Sequence, residues 1–495
     1  MSVRHTQVVV VGGGPVGLLL ACELAGYGVR TAVLEAETAV SARPRATTLH
    51  ARTVQCLVRR GHLGDIPPAG DGRGRAARTF HFAGIDGLTV SAPTTEPEPI
   101  VKCAQQDLEH GFERRAGAAG ARILRGHRVR EIRESRNRVR VTSEGPRGTE
   151  TWEADYVVGA DGARSTVREQ AGIASLTHPA TVSAMAGDVR IGDGDVLGPG
   201  WHRTQRGWIA VKPVPDGWTR LRTLNCSGAH EHRHTPLTLQ ELRREVCWIA
   251  GRDVNMAESR WLSRFSDFTR LAAAYRAGRI LLAGDAAHVH FPIGGQGLST
   301  GLLDSLHLGW KLAFTVLGRA GAGLLDSYDA ERRPAAQRVI ANTRAQLALM
   351  RPDTALDPLR ELFADLMGAE GESSVLGSMI TAQDTVLPAC SVRPSRWEGR
   401  FLYNVALTTS QGKADVIGLL HEGRPLLLLT GEDADVYREQ ARAWSHLLRV
   451  VHAAPSPDLP SEALLVRPDG YIAWAPGGDG LQTLLEKYFG EGGTR

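Results

Sequence analysis

A chain of 495 residues that is 42% hydrophobic and 23% charged, with a formal net charge of +4, has an ordinary soluble composition and room for two or three domains with sizeable cores. Its cations are mostly Arg and are scattered along the chain, which argues against a nucleic-acid partner, since that would need a basic stripe. The six cysteines (Cys22, Cys56, Cys103, Cys226, Cys247, Cys390) lie far apart with no C-x-x-C, so the expectation is a reduced, cytoplasmic protein without a disulfide framework.

The first stretch, "MSVRHTQVVVVGGGPVGLLLACELA", pairs Arg4 with an apolar run, but glycines and Pro15 interrupt that run and Glu23 closes it. It is a poor secretory leader and too broken to span a bilayer, so no membrane association is expected. Gln7–Val11 reads as a strand buried on both faces. Gly12, Gly14 and Gly17 fit G-x-G-x-x-G, Pro15 suits a first helical turn, and Leu18–Leu24 reads as helix. Gly28 ends that helix, and Arg30–Glu35 reads as a second strand closing on an acid. Gly12 permits the tight turn, Gly14 lets backbone approach a pyrophosphate, and Gly17 allows close helix–strand packing. Glu35 is placed to accept ribose hydrogen bonds. Strand, glycine turn, helix and acid in that order predict a dinucleotide site; this unit alone leaves FAD and NAD both open.

Further along, strand Tyr156–Gly159 leads into Asp161-Gly162 and a helix starting near Arg164. By itself this is equally an Asp capping a helix. Between Gly172 and Asp267, alternating segments such as "GWIAVKPVPDGWTRLRTLN" predict antiparallel strands, with Pro215-Asp216-Gly217 as a hairpin turn. Trp201, Trp208, Trp218, Trp248 and Trp261 fall here, as walls for a flat substrate or as sheet packing. In "LLAGDAAHVHFPIGGQGLSTGLLDS", a strand over Arg279–Ala283 meets Gly284-Asp285, then a glycine-rich loop and a helix from about Gln296 to Leu317. Asp285, His288 and His290 together suggest a metal or acid–base site, or a loop with no side-chain chemistry. Three strand–loop–helix switches of this kind argue for one large cofactor crossed by several loops. Residues 351–395 read as helical with a linker near Pro388–Ser395. From about Phe401, strands alternate with helices, one of them near Asp435–Leu448, as in a small separate α/β domain.

The combination resembles the class A flavoprotein monooxygenases of the para-hydroxybenzoate hydroxylase type. Their third motif, G-D-A-A-H-x-x-P-P-x-G-G-Q-G-x-N-x-G, is matched from Gly284 to Gly301, with Phe291 and Ser299 departing from the usual Pro and Asn. "PRATTLHARTVQCL" matches the family's FAD-side R-A-x-x-L-H-x-R-T and carries over Arg45 and Arg52; Gln105, Leu108 and Glu109 match Gln-x-x-Leu-Glu. Tyr328, Glu331, Arg332, Arg333 and Pro334 fit Y-x-x-E-R-R-P, a bracing segment. The last 100 residues resemble the thioredoxin-like tail of phenol and polyketide hydroxylases, and without C-x-x-C they suit docking or dimerisation.

The resemblance implies an α/β fold: a discontinuous Rossmann-like FAD-binding domain (1–175 and 268–395, with 70–100 partly on the substrate side), an inserted antiparallel β-sheet substrate domain (176–267), and a thioredoxin-like C-terminal domain (396–495). It implies FAD contacts from Gly12, Gly14, Pro15, Val16, Gly17, Glu35, Ala36, Arg45, Gln105, Val129, Asp161, Gly284, Asp285, Pro292, Gly295, Gly297, Leu298 and Ser299. The substrate-side candidates are Phe80, His202, Trp208, Arg222 and Phe291, with His81, His202 and Arg222 as possible bases in type only. No metal is implied. The expected reaction is NADPH- or NADH-driven reduction of FAD, addition of O2 as a C4a-hydroperoxide, and oxygen transfer to a polycyclic phenol of polyketide type. Pro292 would lie near the reacting oxygen, and backbone amides after Gln296 would face the flavin. Alternatives are Baeyer–Villiger insertion or oxidative rearrangement on a similar antibiotic, and a non-catalytic flavoprotein that sequesters one. The halogenase signature W-x-W-x-I-P is absent. A monomer or homodimer is expected.

Overall fold

The computed structural model describes residues 3–43, 45–64, 75–192, 197–230, 235–370 and 374–492. Residues 70–74 of the predicted 70–100 segment lie outside that set.

The chain forms a mixed α/β fold. Val8–Val11, all buried, is the strand anticipated from the valine run. It lies inside a six-stranded sheet whose order is Arg276–Ala277, Ile280–Leu282, Tyr156–Gly159, Val8–Val11, Thr31–Glu35 and Arg122–Arg125. All neighbours are parallel except the short edge strand Arg276–Ala277. The carboxyl ends of three central strands therefore deliver the three loops singled out in the sequence to one edge. That is where an open parallel sheet places its ligands.

Helix Pro15–Gly26 follows the first loop and packs along the long helix Gln296–Val316. Two glycines allow the close approach. A Cβ at Gly301 would lie 2.7 Å from Val16 Cγ2, and one at Gly309 would lie 2.5 Å from Glu23 Cβ.

Between Ser183 and Ser266 the chain leaves this sheet and builds a second, antiparallel one. Its order is Gly200–Thr204, Gly207–Val214, Trp218–Asn225, Ser183–Ile191, Met256–Ser266. The anticipated turn is present, with Asp216 and Gly217 at φ 64° and 72°. Helix Leu239–Ala250, not anticipated, covers the back of the sheet through Leu242, Val246 and Ile249. Its signal was in the sequence: Thr238 and Glu241 form a reciprocal capping box. The hairpin Arg75–Phe82/Ile85–Pro93 packs from the other side, its Phe82, Leu88 and Val90 joining Trp208, Leu224 and Phe291 in one core.

Residues 401–492 carry a four-stranded sheet ordered Arg449–His452, Leu426–Leu429, Ala463–Val466, Ile472–Trp474. The helix anticipated over Asp435–Leu448 spans only Ala434–Gln440, followed by one 3-10 turn at Arg442–Trp444. There Trp444, Leu447 and Leu448 turn into the core, and Trp444 Nε1 donates to the Gly490 carbonyl. This unit is tied to the rest by buried charge. Arg59 forms a two-pronged pair with Glu96 (2.9 and 2.6 Å) and donates to Leu402 O, while Arg467 does the same with Glu331 (2.7 and 2.8 Å). No helix among the described residues is long and apolar enough to cross a membrane.

Candidate functional site

The loop at the sheet edge opens into a cavity of about 1300 Å³ that runs from the glycine-rich turns to the antiparallel sheet. Its first wall is the Gly12–Val16 turn. Gly12 stands at φ 107°, where a Cβ would sit 2.3 Å from the Ala160 carbonyl oxygen, so only glycine closes this turn. Gly14 differs: a Cβ there would meet no protein atom within 4 Å, because it faces the cavity. Gly14 also caps its helix without a side-chain bond, which leaves the first-turn amides directed at the open space. Gly295 caps the Gln296 helix in the same way, at φ 64° and with no side-chain partner. Two uncapped helix N-termini thus share one cavity, a donor arrangement suited to the phosphates and electron-rich ring of a dinucleotide.

Acids stand beside these donors. Glu35 lines the cavity while its carboxylate accepts from the Gly13 and Glu37 amides. Asp285 opens onto the cavity with no hydrogen-bond partner among the described residues, and the protein crowding its carboxyl pushes its pKa up. Asp161 also lines the cavity, but its carboxylate is engaged by the Ser165 hydroxyl and the Val167 amide (3.1 Å), the helix-capping alternative. Ala36, Arg45, Gln105, Val129, Pro292, Gly297 and Leu298 all reach the same cavity. His290 lines it too, with Nε2 unpartnered and burial lowering its pKa to about 4. The residues present therefore fit a bound FAD: an open glycine cradle, unspent helix amides, and unpartnered acceptors.

Several anticipated residues sit behind the wall. Gly17 is a spacer, since a Cβ would lie 2.0 Å from Gly12 O. Gly284, at φ 60°, packs on Val16 and donates its amide to Asp304. Ser299 turns its hydroxyl to accept from the His50 amide (3.1 Å), so its side chain ties two segments together. Arg52 is buried away from the cavity, stacked 3.6 Å over the Phe401 ring and bonded to Gln55 and the Gln383 carbonyl. His202 is displaced by strand alternation: Trp201 faces the cavity, while His202 contacts the Gly198 carbonyl at 2.6 Å. His288 is buried against Tyr275 and pairs with Asp304 at 2.7 Å, a packing position.

The far end of the cavity is the antiparallel sheet. One row of lateral neighbours, Trp201–Ala210–Arg222–Ala186–Ser263, crosses all five strands, and every member lines the cavity. Trp208, Leu224 and Phe265 come from one adjacent row, and Lys212 and Trp261 from the other. Phe291 lies tilted against Phe265 (ring centres 5.7 Å apart), and Trp208 is fixed by donating Nε1 to the Met350 carbonyl. Phe80, His81 and Lys102 close the side. Burial lowers His81 to about pKa 4, so at neutral pH it is an uncharged acceptor rather than an effective base. Of the five tryptophans, Trp201, Trp208 and Trp261 are walls, whereas Trp248 lies exposed on the back helix. Lys212 and Phe265 escaped notice, although strict alternation from Trp208 through Ala210 places Lys212 on the same face.

Residues 5–343 match the family model described as FAD binding domain, and residues 395–492 match the one described as aromatic-ring hydroxylase, C-terminal. A 12-dehydrotetracycline 5-monooxygenase/anhydrotetracycline 6-monooxygenase of Streptomyces rimosus is 38% identical over 98% of this chain and 99% of its own. A dialkyldecalin synthase of Streptomyces rugosporus is 36% identical over 98% of each chain. The solved structure of an anhydrotetracycline hydroxylase from Streptomyces rimosus superposes with a TM-score of 0.88 at 35% identity, covering 99% of this chain and 100% of that one.

Proposed function

The chain belongs to the FAD-binding aromatic-ring monooxygenases, the class A flavoproteins of aromatic polyketide hydroxylase type, and from that premise we propose that it uses NAD(P)H and O2 to place one oxygen atom on a polycyclic phenol. The observation that carries this reading is the continuity of one cavity, with dinucleotide-binding features at one end and Trp201, Trp208, Trp261, Phe265 and Phe291 at the other. Such walls suit a flat, multi-ring ligand.

Bound FAD would supply the redox chemistry, taking a hydride from NAD(P)H and activating O2. The Gly12–Val16 turn and its helix would hold the pyrophosphate, and Glu35 the adenosine ribose. Ala36, Val129, Arg45 and Gln105 would line the adenine-to-ribityl path, with Asp161 and Asp285 at the sheet edge. The Gly297 and Leu298 amides would face the electron-rich ring, where positive helix ends stabilise negative charge. Pro292 and Phe291 would keep water from the reacting atoms. The chain would divide into a FAD part (1–175 and 268–395), a substrate sheet (176–267) and a thioredoxin-like tail (396–495). The tail lacks C-x-x-C and is locked to the FAD part by the buried Arg467–Glu331 pair, so it would serve as a brace.

A relative named for a synthase makes oxygen incorporation the deciding measurement. Purified, FAD-loaded protein is assayed for NADPH and NADH oxidation against a panel of polycyclic phenols under ¹⁸O2. The expected product carries one labelled oxygen, and its solved structure separates ring hydroxylation from ring insertion. A colourless protein that takes up no FAD, or turnover without label, refutes the proposal.

A further inference from the structure

The cavity face of the antiparallel sheet carries a cation that has no partner among the described residues. Arg222 stands at the centre of the row Trp201–Ala210–Arg222–Ala186–Ser263, flanked on both adjacent strands by alanine. The small neighbours leave its guanidinium open to the cavity, and among the described residues it makes no hydrogen bond or ion pair. Lys212, diagonally adjacent on the next strand, lines the same space, as does Lys102, whose Nζ donates to the Thr48 hydroxyl (2.9 Å) and stands 6.0 Å from the centre of the Phe80 ring. Asp188, on this face two strand positions from Ala186, is spent: both oxygens are held by Arg220 (2.7 and 3.0 Å), and Arg260 shares the second, while Glu258 further along pairs with Arg190 (3.4 Å). The acids that do line the cavity, Glu35, Asp161 and Asp285, all belong to the dinucleotide end. Arg222 is exposed to the cavity rather than packed away, so its donors stand unspent for an anion that enters.

We propose that Arg222, with Lys212 beside it, is the specificity element for an anionic oxygen on the substrate, so that the enzyme takes polycyclic aromatics bearing a carboxylate or an ionised enol in preference to neutral ones. This rests on the monooxygenase reading above and names the substrate class within it. A guanidinium offers paired donors in a planar fork, the geometry that a carboxylate or a β-oxo enolate accepts in two prongs. The aromatic walls hold the rings, and the cationic row fixes which edge faces the sheet. The opposite edge is thereby presented to the Pro292–Leu298 end.

The test is binding, so that it stands apart from turnover. FAD-loaded wild type, Arg222→Met and Arg222→Lys are titrated with two probe pairs, with quenching of tryptophan fluorescence as the readout. The pairs are anthraquinone-2-carboxylate against its methyl ester, and 4-hydroxycoumarin against 4-methoxycoumarin. The wild type is expected to favour the anion of at least one pair by about 10- to 100-fold, the span of a charge-assisted hydrogen bond. The pair that shows it separates carboxylate from enolate. Arg222→Met erases the preference while binding the neutral partner within about twofold and retaining FAD; Arg222→Lys keeps part of it. Equal binding of anion and neutral partner in both pairs, a preference that survives Arg222→Met, or no binding of any probe by FAD-loaded wild type overturns the proposal. So does displacement of the probe by NADPH that Arg222→Met abolishes, which would assign the row to the nicotinamide nucleotide. Failure of ¹⁸O incorporation with intact anion preference would instead count against the reaction alone.

Discussion

Replacing Glu331 by Gln removes one of two acids from a buried cluster that joins the C-terminal unit to the long helices. Glu331 Oε1 lies 2.7 Å from both Arg467 Nη1 and Lys311 Nζ, and Oε2 lies 2.8 Å from Arg467 Nη2 and 3.4 Å from His307 Nδ1. Asp469 supplies the second acid to Arg467, and Trp310 donates to Asp469 at 2.9 Å. Burial lowers the pKa of His307, so two cations face two acids and the cluster is neutral. Glu331→Gln leaves one uncompensated positive charge with side chains almost fully buried, at a cost of about 3–5 kcal/mol. That is a large share of the about 5–15 kcal/mol that holds a typical protein together. Lys311, already pushed down to about 8 by burial, is the group that yields. Without Glu331 the variant's Lys311 gives up its proton at lower pH than the wild type's, so the deficit shrinks as pH rises to about 8 and is constant above it, where both folds hold a neutral lysine. The double variant Glu331→Gln/Lys311→Met restores balance between Arg467 and Asp469 and is expected to recover much of the loss. Urea unfolding at saturating FAD, followed by tryptophan fluorescence at pH 7 and 9.5, measures each difference. A single variant within about 1 kcal/mol of wild type, or a double variant no better than the single, refutes the reasoning.

Three other outcomes follow from the site and its surroundings. Gly14→Ala adds a methyl that meets no protein atom and stands at a permitted φ of −78°, so stability should hold within about 1 kcal/mol while FAD retention drops at least about tenfold; full FAD occupancy after gel filtration would remove Gly14 from the cradle. Asp285→Asn should weaken FAD binding by about 10- to 100-fold, measured by flavin fluorescence, while elemental analysis of either protein finds no zinc or iron. Bound metal in the wild type would reverse that reading. Burial lowers the His50 pKa to about 4, so below its unfolded value near 6.5 the unfolded chain takes up a proton that the fold refuses. Stability is therefore intact above pH 6.5 and falls by about 3 kcal/mol between 6.5 and 4 from this group. His50→Gln should flatten that slope in urea titrations, and an unchanged slope would refute it.

The parts of the site that were legible before the fold are those whose constraint is local. Gly12 must have positive φ, Gly14 must leave space, and Glu35 must close the second strand; each demand acts within one strand–turn–helix unit, so spacing alone exposes it. The misreadings share a different cause. Arg52 sits next to cofactor-side residues in the chain, yet its guanidinium lies on Phe401, 349 positions away, because the C-terminal unit covers that helix. His202 and Trp201 are adjacent in sequence and opposed in space, and only the register of the sheet decides which one meets the cavity. Helix Leu239–Ala250 was announced by its capping box, but the alternating segments around it pulled the reading toward strands.

The sequence by itself determined the central strands, the three loops that line the cavity and the family, because valine runs, turn glycines and helix caps act on their immediate neighbours whatever surrounds them. Which charges would be left without partners only the tertiary structure decided. Arg220 and Arg222 are two residues apart on one strand and share a face. Asp188 pairs with the first, and alanines on both adjacent strands leave the second open to the cavity. That difference arises from cross-strand register, set by packing of the whole sheet, and no local pattern in the chain encodes it.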